Sequence, residues 1–154
     1  MPKFSTTRRV DLTVDQAFAI AADVESYKDF LPLLKRSVIR GERKVDGHTT
    51  SFDADLQVAV EKLGFTETFT SQVTTDSETH QVTATSSDGP LKSMKTVWNI
   101  VAAGTQTDVS ITVDYTLKNM MLQLMAGGIA DFAAQKIMTA FEERGRKLYG
   151  ARSS

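Results

Sequence analysis

Between residues 34 and 117 the sequence alternates apolar and polar residues in segment after segment, and this stretch dictates what the rest of the chain must do. Phe52, Ala54, Leu56, Val58 and Val60 alternate with Asp53, Asp55, Gln57, Ala59 and Glu61. Val109, Ile111, Val113, Tyr115 and Leu117 alternate with Ser110, Thr112, Asp114 and Thr116. A period of two puts successive side chains on opposite faces, so each segment reads as a strand with one dry and one wet face. Phe65, Phe69 and Val73 share a parity between them, as do Met94, Trp98 and Ile100. Turn-forming residues recur at Asp46-Gly47, Leu63-Gly64, Asp76-Ser77, Asp88-Gly89-Pro90 and Ala103-Gly104, the rhythm of consecutive hairpins. An antiparallel meander of six long strands is predicted.

The flanking sequence supplies what covers the dry face. Phe4 to Leu12 reads as a first strand. Thr13 with Gln16 three positions on forms a capping box opening a helix over Val14–Ala22, with an apolar stripe of Val14, Ala17, Phe18 and Ala21. A second helical turn, Val24–Asp29, stops at Phe30-Leu31-Pro32, because proline disfavours helical backbone in the residue before it. After Asn119, a plausible N-cap, the residues Leu122, Met125, Ile129, Phe132, Ala133, Ile137, Ala140, Phe141 and Leu148 recur every three or four positions, predicting one long amphipathic helix interrupted at Gly127-Gly128. That helix alone is long enough to cover six strands, so the sheet must curl around it. A curved sheet on one helix leaves space between them, a common place for a ligand. The expected class is α+β: strand, two short helices, six-stranded antiparallel meander, long C-terminal helix.

The chain of 154 residues, with no linker or repeat, is expected to form a single domain over 1–154. Zero cysteines exclude a disulfide framework, a thiolate metal site and a cysteine nucleophile. With 18 basic and 19 acidic residues the net charge is −1, which argues against a dedicated nucleic-acid binder, and no DNA partner is expected. The N-terminal residues carry no apolar run of a signal peptide, and no stretch approaches the roughly 20 apolar residues that cross a bilayer. A cytoplasmic location is expected, peripheral at the inner face of the membrane in a bacterium or on the matrix side in a mitochondrion.

Catalytic chemistry has little to stand on. His48 and His80 follow turns and read as solvated turn residues; most of the carboxylates Asp53, Asp55, Glu61 and Glu67 read as wet-face groups. Gly127-Gly128 lacks the pattern of a phosphate loop. Neither a metal nor a cofactor is expected. The apolar inventory says more, because methionine adapts to irregular guests. Phe52, Leu56, Phe65, Phe69, Met94, Trp98, Met121, Met125, Ile129 and Phe132 are the expected lining of a pocket, with Phe30, Leu31, Pro32 and Leu34 at its mouth. Lys35, Arg36, Arg40, Arg43 and Lys44 cluster beside that mouth, and Arg144, Arg146, Lys147 and Arg152 crowd the C-terminus. Such cations read as a solvated face and favourable helix-end charge, or as contact with an anionic membrane surface.

Three motifs carry a family resemblance. Val24-Glu25-Ser26-Tyr27-Lys28-Asp29-Phe30-Leu31-Pro32 resembles the V-x-x-Y-x-x-F-[LV]-P segment of the coenzyme Q-binding START-like family, within the polyketide cyclase/dehydrase-like superfamily that includes ribosome-association toxins. Gly89-Pro90-Leu91-Lys92 followed by Trp98 is similar to its G-P-F-K…W hairpin, and Ala140-Phe141-Glu142-Glu143-Arg144 with Leu148-Tyr149-Gly150 to its A-F-E-x-R…L-Y-G tail. Leu33 stands where the family often has Trp, and Leu91 where it usually has Phe. The resemblance implies a helix-grip (START-like) fold with a hydrophobic tunnel. It implies non-enzymatic binding of ubiquinone or a similar polyprenyl lipid, as a bound ligand supporting respiration and ubiquinone biosynthesis. The alternative it implies is a toxin-like protein that binds the large ribosomal subunit and blocks subunit joining. An aromatase/cyclase-type enzyme is a third reading, for which Tyr115 and Asp114 are the polar candidates.

Overall fold

The computed structural model describes residues 3–60 and 64–150, except the side chains of 65, 122 and 125–132. The chain runs β1 (Lys3–Val10), α1 (Val14–Ala22), a 3₁₀ segment (Val24–Asp29), β2 (Leu34–Asp46), β3 (Thr49–Val60), β4 (Phe65–Asp76), β5 (Gln81–Ser86), β6 (Leu91–Ala103), β7 (Gln106–Leu117) and α2 (Met120–Tyr149). The strands form one sheet in the order β1-β7-β6-β5-β4-β3-β2, antiparallel at every pairing. The architecture is the expected α+β helix grip, with the sheet curved over α2.

Local chemistry accounts for the boundaries. Thr13 accepts a hydrogen bond from the Gln16 backbone while the Gln16 side chain accepts one from the Thr13 backbone, each 3.0 Å, so α1 starts where the capping box predicts. Register shifts mark bulges between Leu34 and Arg36, between Arg40 and Lys44, and between Leu91 and Ser93, and bulges bend strands. The last also brings Leu91 and Met94, three residues apart, to the same concave face.

The concave face is filled at one end and open at the other. At the filled end Val10, Val82, Val109 and Ile100 pack with α1 residues Ala17, Ile20 and Ala21 and with Met138 and Phe141 of α2. The buried stripe of α2 runs Ala134, Met138, Phe141, Gly145. Two corrections to the predicted stripe follow: Leu148 is half exposed, and Ala134 and Met138 take inward positions the spacing analysis did not give them. Leu122, Met125, Ile129 and Phe132 lie among the side chains outside the described set. The helix itself continues unbroken through Gly127-Gly128 rather than being interrupted there.

Gly145 shows how closely α2 approaches. A Cβ there would sit 2.7 Å from Leu12 Cδ1 and 3.0 Å from Leu12 Cδ2. Leu12 cannot retreat easily, because it is buried and its carbonyl accepts a 2.7 Å hydrogen bond from the Thr107 hydroxyl. Gly145→Val is expected to lower stability by about 1–3 kcal/mol through overpacking, read from the urea midpoint followed by far-ultraviolet circular dichroism. Gly145→Ala should cost less, since alanine regains up to about 1 kcal/mol of helix propensity. A valine variant as stable as the parent would contradict this packing.

Candidate functional site

Cross-strand register builds the open end into a cavity. Leu56 pairs with Phe69 and Val58 with Glu67 across β3 and β4, and Leu34 of β2 faces Val58. Across β6 and β7, Met94 pairs with Tyr115, Thr96 with Val113, Trp98 with Ile111 and Leu91 with Leu117. These inward side chains, with Phe4 of β1 and Ala133 and Ile137 of α2, enclose about 340 Å³. Its exposed lining residues, Leu33 and Glu67, mark the mouth.

The three sequence motifs meet around this cavity. Trp98 stacks on Phe141, with ring centroids 5.4 Å apart, and Tyr27 lies 6.5 Å from Trp98. Both Tyr27 and Trp98 also line the cavity, so one aromatic cluster is its floor and the roof of the core. The Tyr27 hydroxyl donates to the Ala21 carbonyl, one of the carbonyls that the end of α1 leaves without a helical partner. Burial, followed by the nearby charge of Asp23, holds the Tyr27 phenol well above its ordinary pKa, so it stays protonated and keeps that bond.

The mouth segment is fastened from both sides. Ser37 donates to the Glu25 carbonyl at 2.7 Å and accepts from the Lys28 backbone at 3.2 Å, tying the 3₁₀ segment to β2. The Leu33 carbonyl accepts from Ala59 N at 2.8 Å, and Leu33 itself is held at φ +70°, unusual for a residue with a side chain. Opposite it, β5 pairs with β4 only as far as Gln72 and Thr85, and both Asp88 carboxylate oxygens take the Thr70 backbone N–H at 3.0 Å. Gly89 follows at φ +57°, and a Cβ there would fall 2.6 Å from the Thr68 carbonyl oxygen. Only glycine fits, and the turn delivers Pro90 and Leu91 to the cavity wall.

Of the residues expected at the pocket, Leu31, Pro32, Leu34, Leu56, Phe69, Met94 and Trp98 line the cavity. Three do not. Phe52 has the inward parity but lies four residues nearer the β2–β3 turn, in the filled core, with the Arg43 guanidinium 5.4 Å over its ring. Phe30 packs edge-on to Tyr27 and under Arg144, at 5.3 Å, beside a separate small hollow. Met121 is 70% exposed, as are its neighbours Met120 and Leu124 to similar extents. The side chains of Phe65, Met125, Ile129 and Phe132 lie outside the described residues, and so does Glu61.

Sequence reasoning missed Phe4, Tyr27, Val58, Ile111, Val113 and Leu117, although the parity of β7 already pointed to its three. Of the carboxylates Asp53, Asp55 and Glu67, Glu67 is the exception: it shares the parity of Phe69 and pairs with inward Val58, so it belongs to the concave side, not the wet face. His80 is also less solvated than its turn suggested. Its ring stands edge-on to Phe18 at 5.5 Å, with Nε2 3.3 Å from Asp15 Oδ1. Asp114 is absent from the lining, whereas Tyr115 is part of it. Among the described residues no three metal-ligating side chains come together, and no helix is long and apolar enough to cross a membrane.

A curved seven-stranded antiparallel sheet grips one helix with an apolar cavity between them, the helix-grip fold seen in START-like structures. The chain belongs to the polyketide cyclase / dehydrase and lipid transport family, which its residues 10–142 match. Ribosome association toxin RatA of Escherichia coli K12 is 27% identical, over 99% of this chain and 92% of that protein. Coenzyme Q-binding protein COQ10 homolog B, mitochondrial, of Xenopus laevis is 26% identical, over 96% of this chain and 59% of that protein. The solution structure of an 18 kDa Caulobacter crescentus protein superposes with a TM-score of 0.83 at 28% identity, covering 98% of this chain and all of that one.

Tyr27→Phe is expected to leave the Ala21 carbonyl without its donor and to cost about 1–3 kcal/mol in a urea titration. Tyr27→Ala, which also empties the floor between core and cavity, should cost about 3–5 kcal/mol. Equal losses for the two variants would show that the ring, not the hydroxyl, carries the contribution.

Proposed function

We propose that this chain is a non-enzymatic carrier of ubiquinone or a similar polyprenyl lipid, held in the cavity between sheet and helix. The observation that carries the reading is the lining itself. It is almost wholly aliphatic and aromatic, the Tyr27 hydroxyl is committed to the Ala21 carbonyl, and the sole carboxylate among the described lining residues stands at the mouth. Such a surface gains roughly 25 cal/mol for each Å² of apolar ligand it takes from water, and it offers no nucleophile or acid–base pair to transform that ligand. The likeness to a coenzyme Q-binding protein supports a quinone as the head group. A volume near the lower end of the roughly 300–1,000 Å³ range of ligand pockets suits a head group with the first part of its tail, the remainder leaving through the mouth.

A second reading has its own support. The RatA relatives extend over nearly the whole chain, and Lys35, Arg36, Arg40, Arg43 and Lys44 are all exposed on edge strand β2. Arg40 is engaged by Asp55 at 3.2 Å and Arg43 by the Phe52 ring, which leaves Lys35, Arg36 and Lys44 as the cations most available to an anionic partner such as ribosomal RNA or a lipid surface.

The test is mass spectrometry of an organic extract of the protein purified from a ubiquinone-making host. Near-stoichiometric ubiquinone is expected from the parent and none from Met94→Asp, which places a charge on the half-buried lining and whose folding circular dichroism checks. A lipid-free extract from the folded parent would refute the carrier reading. Salt-sensitive co-sedimentation with ribosomal subunits, lost on replacing Lys35, Arg36 and Lys44 with glutamate, would then support the second.

A further inference from the structure

Glu67 is out of place in this cavity. Every other described lining residue is uncharged, and nearly all are apolar. Its parity is fixed by pairing with Val58, between Leu34 on one side of the sheet and Phe69 two residues along its own strand, so the carboxylate stands on the concave side at the mouth. No hydrogen bond or ion pair engages it among the described residues. The wall therefore ends in one acceptor that no described protein group engages.

We propose that the site selects an apolar ligand whose head carries a hydroxyl donor, and hence the reduced hydroquinone over the oxidised quinone. This rests on the carrier reading and adds the redox form to it. An ionised carboxylate only accepts hydrogen bonds. A quinone head presents carbonyl and ether oxygens, which also only accept, so seating it beside Glu67 strips water from the carboxylate and returns nothing. A hydroquinone presents two phenolic O–H groups, protonated at neutral pH as tyrosine is, and one of them can donate to Glu67 in a charge-assisted bond. The lining tyrosines do not reverse this preference, since the Tyr27 hydroxyl is already donated to Ala21 and Tyr115 is engaged as well. The device costs the fold nothing: the side chain is solvated until a ligand arrives.

The experiment is anaerobic isothermal titration of the full chain with decyl-ubiquinone and with decyl-ubiquinol, for the parent and for Glu67→Gln. The exposed position of Glu67 means the variant should fold normally. The parent is expected to bind the hydroquinone roughly tenfold more tightly than the quinone, and Glu67→Gln to bring the two within about twofold, because an amide can donate as well as accept. Equal affinities in the parent, tighter quinone binding, or a preference that survives Glu67→Gln would overturn the assignment while leaving the carrier reading intact. Binding of neither form by folded protein would overturn both.

Discussion

The stack of Trp98 on Phe141 is the contact on which the rest of the structure turns. It joins the middle of β6 to the C-terminal half of α2, and so fixes the distance at which the helix rides over the sheet. On one side of it the concave face is packed solid with aliphatic side chains from β1, β6, β7 and α1. On the other side nothing of comparable bulk descends from the described part of α2, and a cavity remains. Tyr27 completes the partition and also closes the end of α1 through its hydroxyl. Core, helix cap and cavity thus share a single aromatic wall, which explains why three separated sequence motifs, around residues 27, 98 and 141, meet in space.

Backbone accounting explains the two segments that frame the mouth. A strand that stops early leaves amides without partners, and buried or half-buried amides must find acceptors. β5 is the short strand here, and the Asp88 carboxylate replaces the missing ladder for Thr70. The turn between the 3₁₀ segment and β2 has no ladder of its own: Ser37 ties the 3₁₀ segment to β2, and the Ala59 N–H holds the Leu33 carbonyl. The mouth is built from side-chain and main-chain substitutes for regular pairing, which frees its apolar side chains to serve as lining.

Much of this was legible in the sequence. Strict alternation revealed the strands and their inward faces, and the Thr13–Gln16 box revealed the start of α1, because both depend only on local chemistry. What parity cannot give is position along a face. Phe52 and Leu56 point the same way and both join the core, yet only Leu56 also lines the cavity, a difference set by position along a curved sheet. Glu67 was hidden by its neighbours: β4 is rich in threonine and serine, so its alternation is faint and a carboxylate there looks like a wet-face residue. Met121 shows the corresponding ambiguity in a helix, since Met120, Met121, Leu122, Leu124 and Met125 surround the first turns with apolar groups and no stripe stands out. His80 was misjudged because contact with Phe18 comes from α1, far away in sequence.

The aromatic wall has a spectroscopic consequence. The chain contains a single tryptophan, and it is the residue at the boundary between core and cavity. That indole stacks on Phe141 and also lines the cavity. Its emission therefore comes from one place only, and answers both to the integrity of the core and to whatever occupies the space beside it. The protein carries its own internal probe at the point where the core meets the cavity.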